Sequence, residues 1–366
     1  MSIKRRRKVF RTRGYTLRFT ISLLVFLSVL LTAFVGCYSA IRANKESLSI
    51  SYLQNNYQYA KKLKVETSNI LSSMQRNITE IAEMTTDHVV KDEEMDFYLR
   101  FNNRYFNSIF FVNNEGVIQN ISPSTTGVSI GTKLNSAASK QAIKERKPII
   151  STPYKATSGR LILMISSPVF DDNRNYKGFI GGTIYLEDTN YLNSMLSAHF
   201  YGNGSYVYVV DREGRIIFHP DTGKINKSVI ENKAVKDVLQ GNSGSAIITN
   251  TQGKEYFVGY SYEPSSHWGI VSQTPTEVLK DPLKDLYRKM FLYALPLFII
   301  IIFVSWWVAF WISKPLYLLA KYSEEVIRNN NSVPIINLET SSKIIEVQQL
   351  YHQINNHLIL LNKEIQ

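Results

Sequence analysis

Two stretches of this sequence hold no charged residue: Phe19–Ile41, 23 residues long, and Met290–Ser313, 24 residues long. No other feature limits the fold as strongly. At about 1.5 Å per helical residue, each run spans the ~30 Å hydrocarbon core of a bilayer. The chain is therefore expected to cross a membrane twice. Of the formal net charge of +12, eight units come from Lys4, Arg5, Arg6, Arg7, Lys8, Arg11, Arg13 and Arg18, and no acid precedes Phe19. A basic tail beside an apolar run suits an uncleaved anchor whose basic end stays in the cytoplasm. A cleaved secretory signal has the same order, but no convincing small-x-small cleavage site follows. "FVGC" before Cys37 is a poor lipoprotein box, because Phe34 stands where leucine is usual. A nucleic-acid patch is disfavoured by the adjoining apolar run. The second run is flanked by cations on both sides, so the N-terminal tail carries the orientation. Both termini are expected in the cytoplasm and residues 42–289 outside, in a multi-pass protein of the cell membrane.

The outer segment, Arg42–Lys289, is 248 residues, long enough to build its own core. Cys37, the only cysteine, lies in the first run, so no intrachain disulfide or cysteine metal site is possible. From Ser39 to Val89 there is no Pro or Gly, and Leu63, Ile70, Met74 and Ile81 recur at helical spacing. Such a helix either lies along the domain that it introduces or forms a stalk that pairs with its twin in a dimer. From Ser108 the apolar period shortens to two. "IFFVNNEGVIQNISP", from Ile109, is echoed 98 residues later by "VYVVDREGRIIFHP", from Val207, with Glu-Gly turns at Glu115-Gly116 and Glu213-Gly214. Short helices are expected at Ala137–Glu145 and Ala234–Gln240, and a linking helix in "DTNYLNSMLSAHF". The pattern predicts an α+β fold: two copies of one antiparallel sheet with helices on one face. Coincidence between two ordinary turns is the alternative.

Beyond the second run, two amphipathic helices are expected. One carries Leu316, Leu319, Tyr322 and Val326, and the other Ile344, Val347, Leu350, Ile354, Leu358 and Leu361. Each has one apolar face, which a parallel bundle formed by two chains would bury.

This layout resembles bacterial transmembrane receptors that carry a double Cache extracellular sensor and a HAMP relay. "YVYVVDREGRIIFHPDTGKINKS" resembles the membrane-proximal Cache hairpin. "IISTPYKATSGRLILMISSPVFDDNRNYKGFIGGTIYL" resembles the pocket-forming half of the distal lobe. "ISKPLYLLA" with Pro315, followed by Glu346 and "QQLYHQIN", resembles HAMP. The resemblance implies a basic cytoplasmic tail (1–18), a first transmembrane helix (19–41), a long stalk helix (42–94), stacked PAS-like distal (95–203) and proximal (204–289) lobes, a second transmembrane helix (290–313) and a relay (314–366), with Pro315 and Glu346 as signal-relay positions. Chemoreceptors, sensor kinases and membrane diguanylate cyclases share this front end.

In amino-acid-sensing members the distal pocket carries an Arg-x-Trp-Tyr segment, a Tyr-x-Asp segment and a later aspartate. Tyr154 matches the tyrosine, but Ala156 and Thr183 stand where the carboxylates would be, and "LNSAASK" has neither Arg nor Trp. An ammonium without carboxylate partners is costly in a pocket, so no conventional amino-acid ligand is expected. Lys155 and Arg160 flank the pocket strand and would suit a small carboxylate, or they are solvated residues of the "TSG" turn. Ile162, Met164 and Ser166 alternate onto one face, with Ser166 as its polar group, and Tyr185 would line the same floor. His219 reads as a ligand contact, a pH sensor or an ordinary strand-end histidine. His352 and His357 lie on the relay helix without kinase sequence after them.

The expectation is a homodimeric receptor for a small extracellular solute, with carboxylates as one class, that contacts membrane lipid and signals to a cytoplasmic output domain or partner protein. No nucleic acid, cofactor, metal or catalytic residue is expected in this chain. The first alternative is the sensor and anchor of an enzyme, a diguanylate cyclase or else a histidine kinase, with its catalytic part elsewhere. The second is a structural surface protein that uses the lobes as spacers.

Overall fold

A computed structural model of the chain describes residues 15–85, 91–188, 190–197, 203–250 and 253–328, together with Ile345, Gln348–Leu350, His352, Gln353 and Asn356. The chain divides into two units. Lys45–Asp281 form one, and the two chain ends, residues 1–44 and 282–366, form the other.

In the first unit, helix α1 (Leu17–Met84) contributes its C-terminal half. Its buried positions Asn56, Ala60, Leu63, Thr67, Leu71, Met74, Ile78 and Ile81 step by three or four residues, so they share one face. That face joins a core that includes residues of both sheets, so α1 lies along the domain. At its end, Thr85 Oγ1 donates to the Ile81 carbonyl (2.6 Å). A separate helix, α2 (Asp92–Asn102), follows. Asp92, Glu93 and Glu94 favour a helix N-terminus electrostatically, and the Lys91 N–H donates to Glu94 Oε2 (3.1 Å). The stalk boundary expected at residue 94 thus falls inside α2, and residues 86–90 lie outside the described set.

The first sheet comprises β1 (Ser108–Asn113), β2 (Ile118–Ser122), β3 (Ile149–Ile150), β4 (Tyr154–Lys155), β5 (Leu161–Phe170) and β6 (Tyr176–Tyr185), with α3 (Ala137–Glu145) between β2 and β3. Its order is β2-β1-β6-β5-β3, with β4 also paired to β5, all antiparallel. After α4 (Tyr191–Ser197) the second sheet comprises β7 (Tyr206–Val210), β8 (Ile216–Phe218), β9 (Gly244–Thr249), β10 (Glu255–Glu263) and β11 (Trp268–Pro275). Helix α5 (Lys233–Leu239) lies between β8 and β9, and the sheet order is β8-β7-β11-β10-β9.

Successive residues feed opposite cores. Leu163 and Ile165 join the α1 core, while Met164 packs with Phe110, Ala138 and Ala142. Likewise Val209 joins the α1 core, while Tyr208 and Val210 pack with Ala234 and Val238 of α5. Both faces of each sheet are covered, which is why the central strands read as near-continuous apolar runs. Each fully buried aliphatic side chain contributes about 2 kcal/mol through removal from water.

The hairpin echo has a physical cause at its turns. Asn113 Oδ1 accepts from the N–H groups of Glu115 (3.1 Å) and Val117 (2.9 Å). Asp211 Oδ1 accepts from Glu213 (2.9 Å) and Arg215 (2.8 Å) in the same way. Gly116 and Gly214 both take positive φ, 85° and 74°, which a side chain would resist. Two identical Asx-stabilised turns therefore start two hairpins of the same design.

In the second unit, α1 and α6 (Lys280–Arg328) are long and apolar enough to cross a membrane. Large apolar side chains such as Leu24, Phe34, Phe291 and Phe303 are exposed along them, as lipid-facing surfaces require. Ser305, Ala309 and Ser313 are buried at four-residue spacing on α6, where small side chains let helices approach closely. The Arg18 guanidinium stands 4.6 Å from the Phe310 ring centre. The start of the first apolar run therefore meets the end of the second. Helix α6 continues through Pro296 and Pro315. Glu346 and most of the second amphipathic helix lie outside the described residues.

Candidate functional site

On the α3 side of the first sheet is a cavity of about 50 Å³. Strand β1 supplies Ser108 and Phe110, β2 supplies Ile118 and Ile121, and β6 supplies Thr183 and Tyr185. Tyr154 of β4 and Ile162 of β5 complete the sheet wall. Two loops close the other side, one with Thr126 and Val128 and the other with Ala156, Thr157 and Ser158. They nearly meet, since a Cβ on Gly127 would lie 3.8 Å from that of Ser158.

Strand pairing brings the polar groups together. Thr183 sits opposite Ser108 on one side and Met164 on the other. The hydroxyls of Ser108 and Thr183 share a short hydrogen bond. The Tyr154 hydroxyl lies 3.6 Å from Met164 Sδ. Burial pushes its pKa up to about 12, against a smaller opposing effect of a Ser136 hydrogen bond, so it stays protonated and able to donate. Among the described residues that line the cavity there is no Asp, Glu, Lys, Arg or His.

Tyr154, Thr183 and Tyr185 thus come together at the cavity, as does Ala156. Lys155, Arg160 and Ser166 do not line it. Lys155 is exposed at the sheet margin. Arg160 Nη1 pairs with Asp188 Oδ2 at 2.6 Å, and its guanidinium lies 4.6 Å from the Tyr185 ring centre, so it braces the cavity wall from outside. The carboxylate grip expected of Lys155 and Arg160 is therefore not assembled: one cation is solvated and the other already paired. Ser166 is buried opposite Ile149 and Gly181, and its Oγ has no hydrogen-bond partner among the described residues.

Sequence reasoning missed Ser108, Phe110, Thr126, Ser136 and the closing loops. The hairpin echo held a usable signal, because it sets Ser108 at the position that Tyr206 occupies in the second copy.

His219 is buried beside Tyr206, with ring centres 5.0 Å apart. Its Nδ1 accepts from the Asp221 N–H (2.8 Å). Burial, then the positive charge of Lys224, lowers its pKa to about 4. It is a neutral packing residue at neutral pH.

Residues 44–283 match the family model described as Cache domain. An 84-residue segment is 34% identical to the methyl-accepting chemotaxis protein PscA of Pseudomonas syringae pv. tomato, covering 23% of this chain and 13% of that protein. Among solved structures, the chain is similar to an extracellular ligand binding receptor from Desulfohalobium retbaense, with a TM-score of 0.50 and 15% identity, over 59% of this chain and 39% of that one. It is also similar to the ligand-binding domain of the Pseudomonas fluorescens chemoreceptor CtaA in complex with L-isoleucine, with a TM-score of 0.50 and 19% identity, over 66% and 98% of the two chains. At these identities the structural likeness is one of fold.

Proposed function

The chain belongs to the Cache domain family, and on that premise we propose that it is a transmembrane receptor, homodimeric in the membrane, that senses a small extracellular solute. In this reading the two sheets are the distal and proximal lobes of a double Cache sensor. Residues 42–289 lie outside the cell, and both termini lie inside. The solute enters the first-sheet cavity, with Tyr154, Thr183 and Tyr185 as its contacts. The amino-acid complex of the CtaA domain does not carry over, because an ammonium and a carboxylate would meet no charged partner on the cavity wall.

The observation that carries the proposal is the cavity itself. It is walled by sheet on one side and narrowed on the other by two loops that approach each other at Gly127 and Ser158. A ligand shifts a conformational balance only by its differential affinity for the two states, and reversing a 1:99 population takes about 5.5 kcal/mol. Loops that tighten around a solute provide such a difference. The displacement passes down α6 to the segment around Pro315, where the missing backbone N–H weakens the helix locally, and on to a HAMP-type relay that includes Glu346. The chain itself performs no chemistry in this reading, and an output domain or partner protein acts on the signal.

Alkaline phosphatase fused after Gly214 is expected to be active, and the same reporter fused after Gln366 inactive. Equal activity at both positions would remove the receptor topology and the proposal with it.

A further inference from the structure

We infer that the first-sheet cavity receives a small uncharged solute, a short alcohol, diol or primary amide, and excludes amines, carboxylates and amino acids. The inference deepens the sensing role proposed above and rests on it.

Three observations combine. First, none of the described lining residues is ionisable near neutral pH. A charged ligand would lose its hydration and find no counter-ion, which is the most unfavourable kind of burial. The nearest cation of the β4–β5 turn, Arg160, is already paired with Asp188 outside the cavity. Second, the polar groups present are hydroxyls. Ser108 and Thr183 bond to each other, and Tyr154 lies beside the Ser136 hydroxyl and a weak acceptor, Met164 Sδ. A hydroxyl can turn to donate or accept, so these groups suit a ligand that also does both, such as an alcohol or amide. Phe110, Ile118, Ile121 and Val128 offer only apolar surface, which suits a short carbon chain. Third, the volume is about 50 Å³. A water molecule needs roughly 10–15 Å³ of such a cavity, so the space suits about four non-hydrogen atoms.

The test uses the full chain in lipid nanodiscs, with thermal unfolding followed by tryptophan fluorescence. Trp268, fully buried in the second sheet, is a built-in reporter. The probes are 1,2-propanediol and propionamide, set against propionate, propylamine and alanine at equal concentration. The uncharged pair is expected to raise the midpoint, and the ions to leave it unchanged. Thr183→Val should weaken the apparent affinity for the uncharged pair about tenfold, the scale of one hydrogen bond. Thr183→Ser should restore it, which separates a lost contact from a damaged fold. Ala156→Asp should transfer the response to propylamine by supplying the missing counter-ion.

If propionate, propylamine or alanine stabilised the wild-type protein and lost that effect in Thr183→Val, the uncharged assignment would be overturned and a sensing cavity would remain. Absence of a shift with all five probes would also overturn the assignment. The topology fusions, which need no ligand, would then decide the receptor reading separately.

Discussion

The two sheets of the Lys45–Asp281 unit share one architecture, yet one bounds a cavity and the other carries packed rings where that cavity would be. The 98-residue hairpin offset places Ser108 against Tyr206, Phe110 against Tyr208 and Ile121 against His219. Across the strand pair, Thr183 faces Ser108 as Gln273 faces Tyr206. Gly181 faces Phe110 as Val271 faces Tyr208. At both cross-strand pairs the first sheet carries the smaller set. In the second sheet Tyr206, Tyr208 and His219 contact one another through their rings. The space for a ligand is thus made by small side chains on an otherwise duplicated scaffold.

The grip of α1 differs between the sheets as well. At Gly259 of β10, an added Cβ would lie 2.1 Å from the backbone of Asn56 and Tyr57. Around that contact, Asn56 Nδ2 donates to Thr274 Oγ1 (3.0 Å), and Ser272 Oγ donates to Asn56 Oδ1 (2.7 Å), all buried. At Gly182 of β6, the nearest atoms belong to the Phe106 and Ile78 side chains, which can yield. Helix α1 is pinned by its backbone to the second sheet and held by side chains on the first.

The sharpest attack on this contrast is Gly259→Ala. It should destabilise the protein by about 3 kcal/mol, because backbone must move, whereas Gly182→Ala should cost about 1 kcal/mol. Chemical denaturation of the two variants side by side measures the difference, and equal losses would erase the contrast. Next, importing the second sheet's residues into the first, as Ser108→Tyr with Thr183→Gln, should abolish every ligand-induced rise in melting temperature. The unliganded midpoint should fall, because the two larger side chains add more volume than the cavity of about 50 Å³ holds. A third test exploits His219. Its folded pKa, about 4, lies below the ordinary value of 6.5, so the unfolded chain binds the extra proton between those values and stability falls as pH drops from 6.5 towards 4. His219→Gln should flatten that part of a melting-temperature profile, and an unchanged slope would remove His219 from the account. The smallest effect belongs to Arg160→Ala. A half-exposed ion pair contributes about 0.5 kcal/mol, and affinity for an uncharged probe should change less than about threefold. A loss much larger than that, measured by titration, would return Arg160 to the list of ligand contacts.

Much of this fold was legible in the sequence because repetition and period are robust signals. The apolar runs marked both long helices, and Ala137–Glu145 was read with the bounds that α3 has. Each strand of the two hairpins matches the quoted hairpin segments to within one residue. Helix α2 was missed because its apolar residues trace no single buried stripe, Phe97 and Phe101 being exposed, although the acids at Asp92, Glu93 and Glu94 marked its start. The short strands β3 and β4 carry too few residues for a period to show. Of the residues that line the cavity, Tyr154 and Thr183 were marked through the resemblance and Tyr185 through the strand pattern. Ser108 was not, because a small residue in an apolar strand looks like a packing accident until the strand opposite is known. Lys155 and Arg160 were proposed on chemistry, and only geometry shows that Arg160 already has a partner.

A wall without groups that ionise near neutral pH has one more consequence. Neither screening by dissolved salt nor the protonation of a pocket residue can alter how tightly an uncharged guest is held, and no long-range attraction speeds its arrival. A cell that reads its surroundings through this cavity would take the same reading in fresh or brackish water and across ordinary swings of acidity.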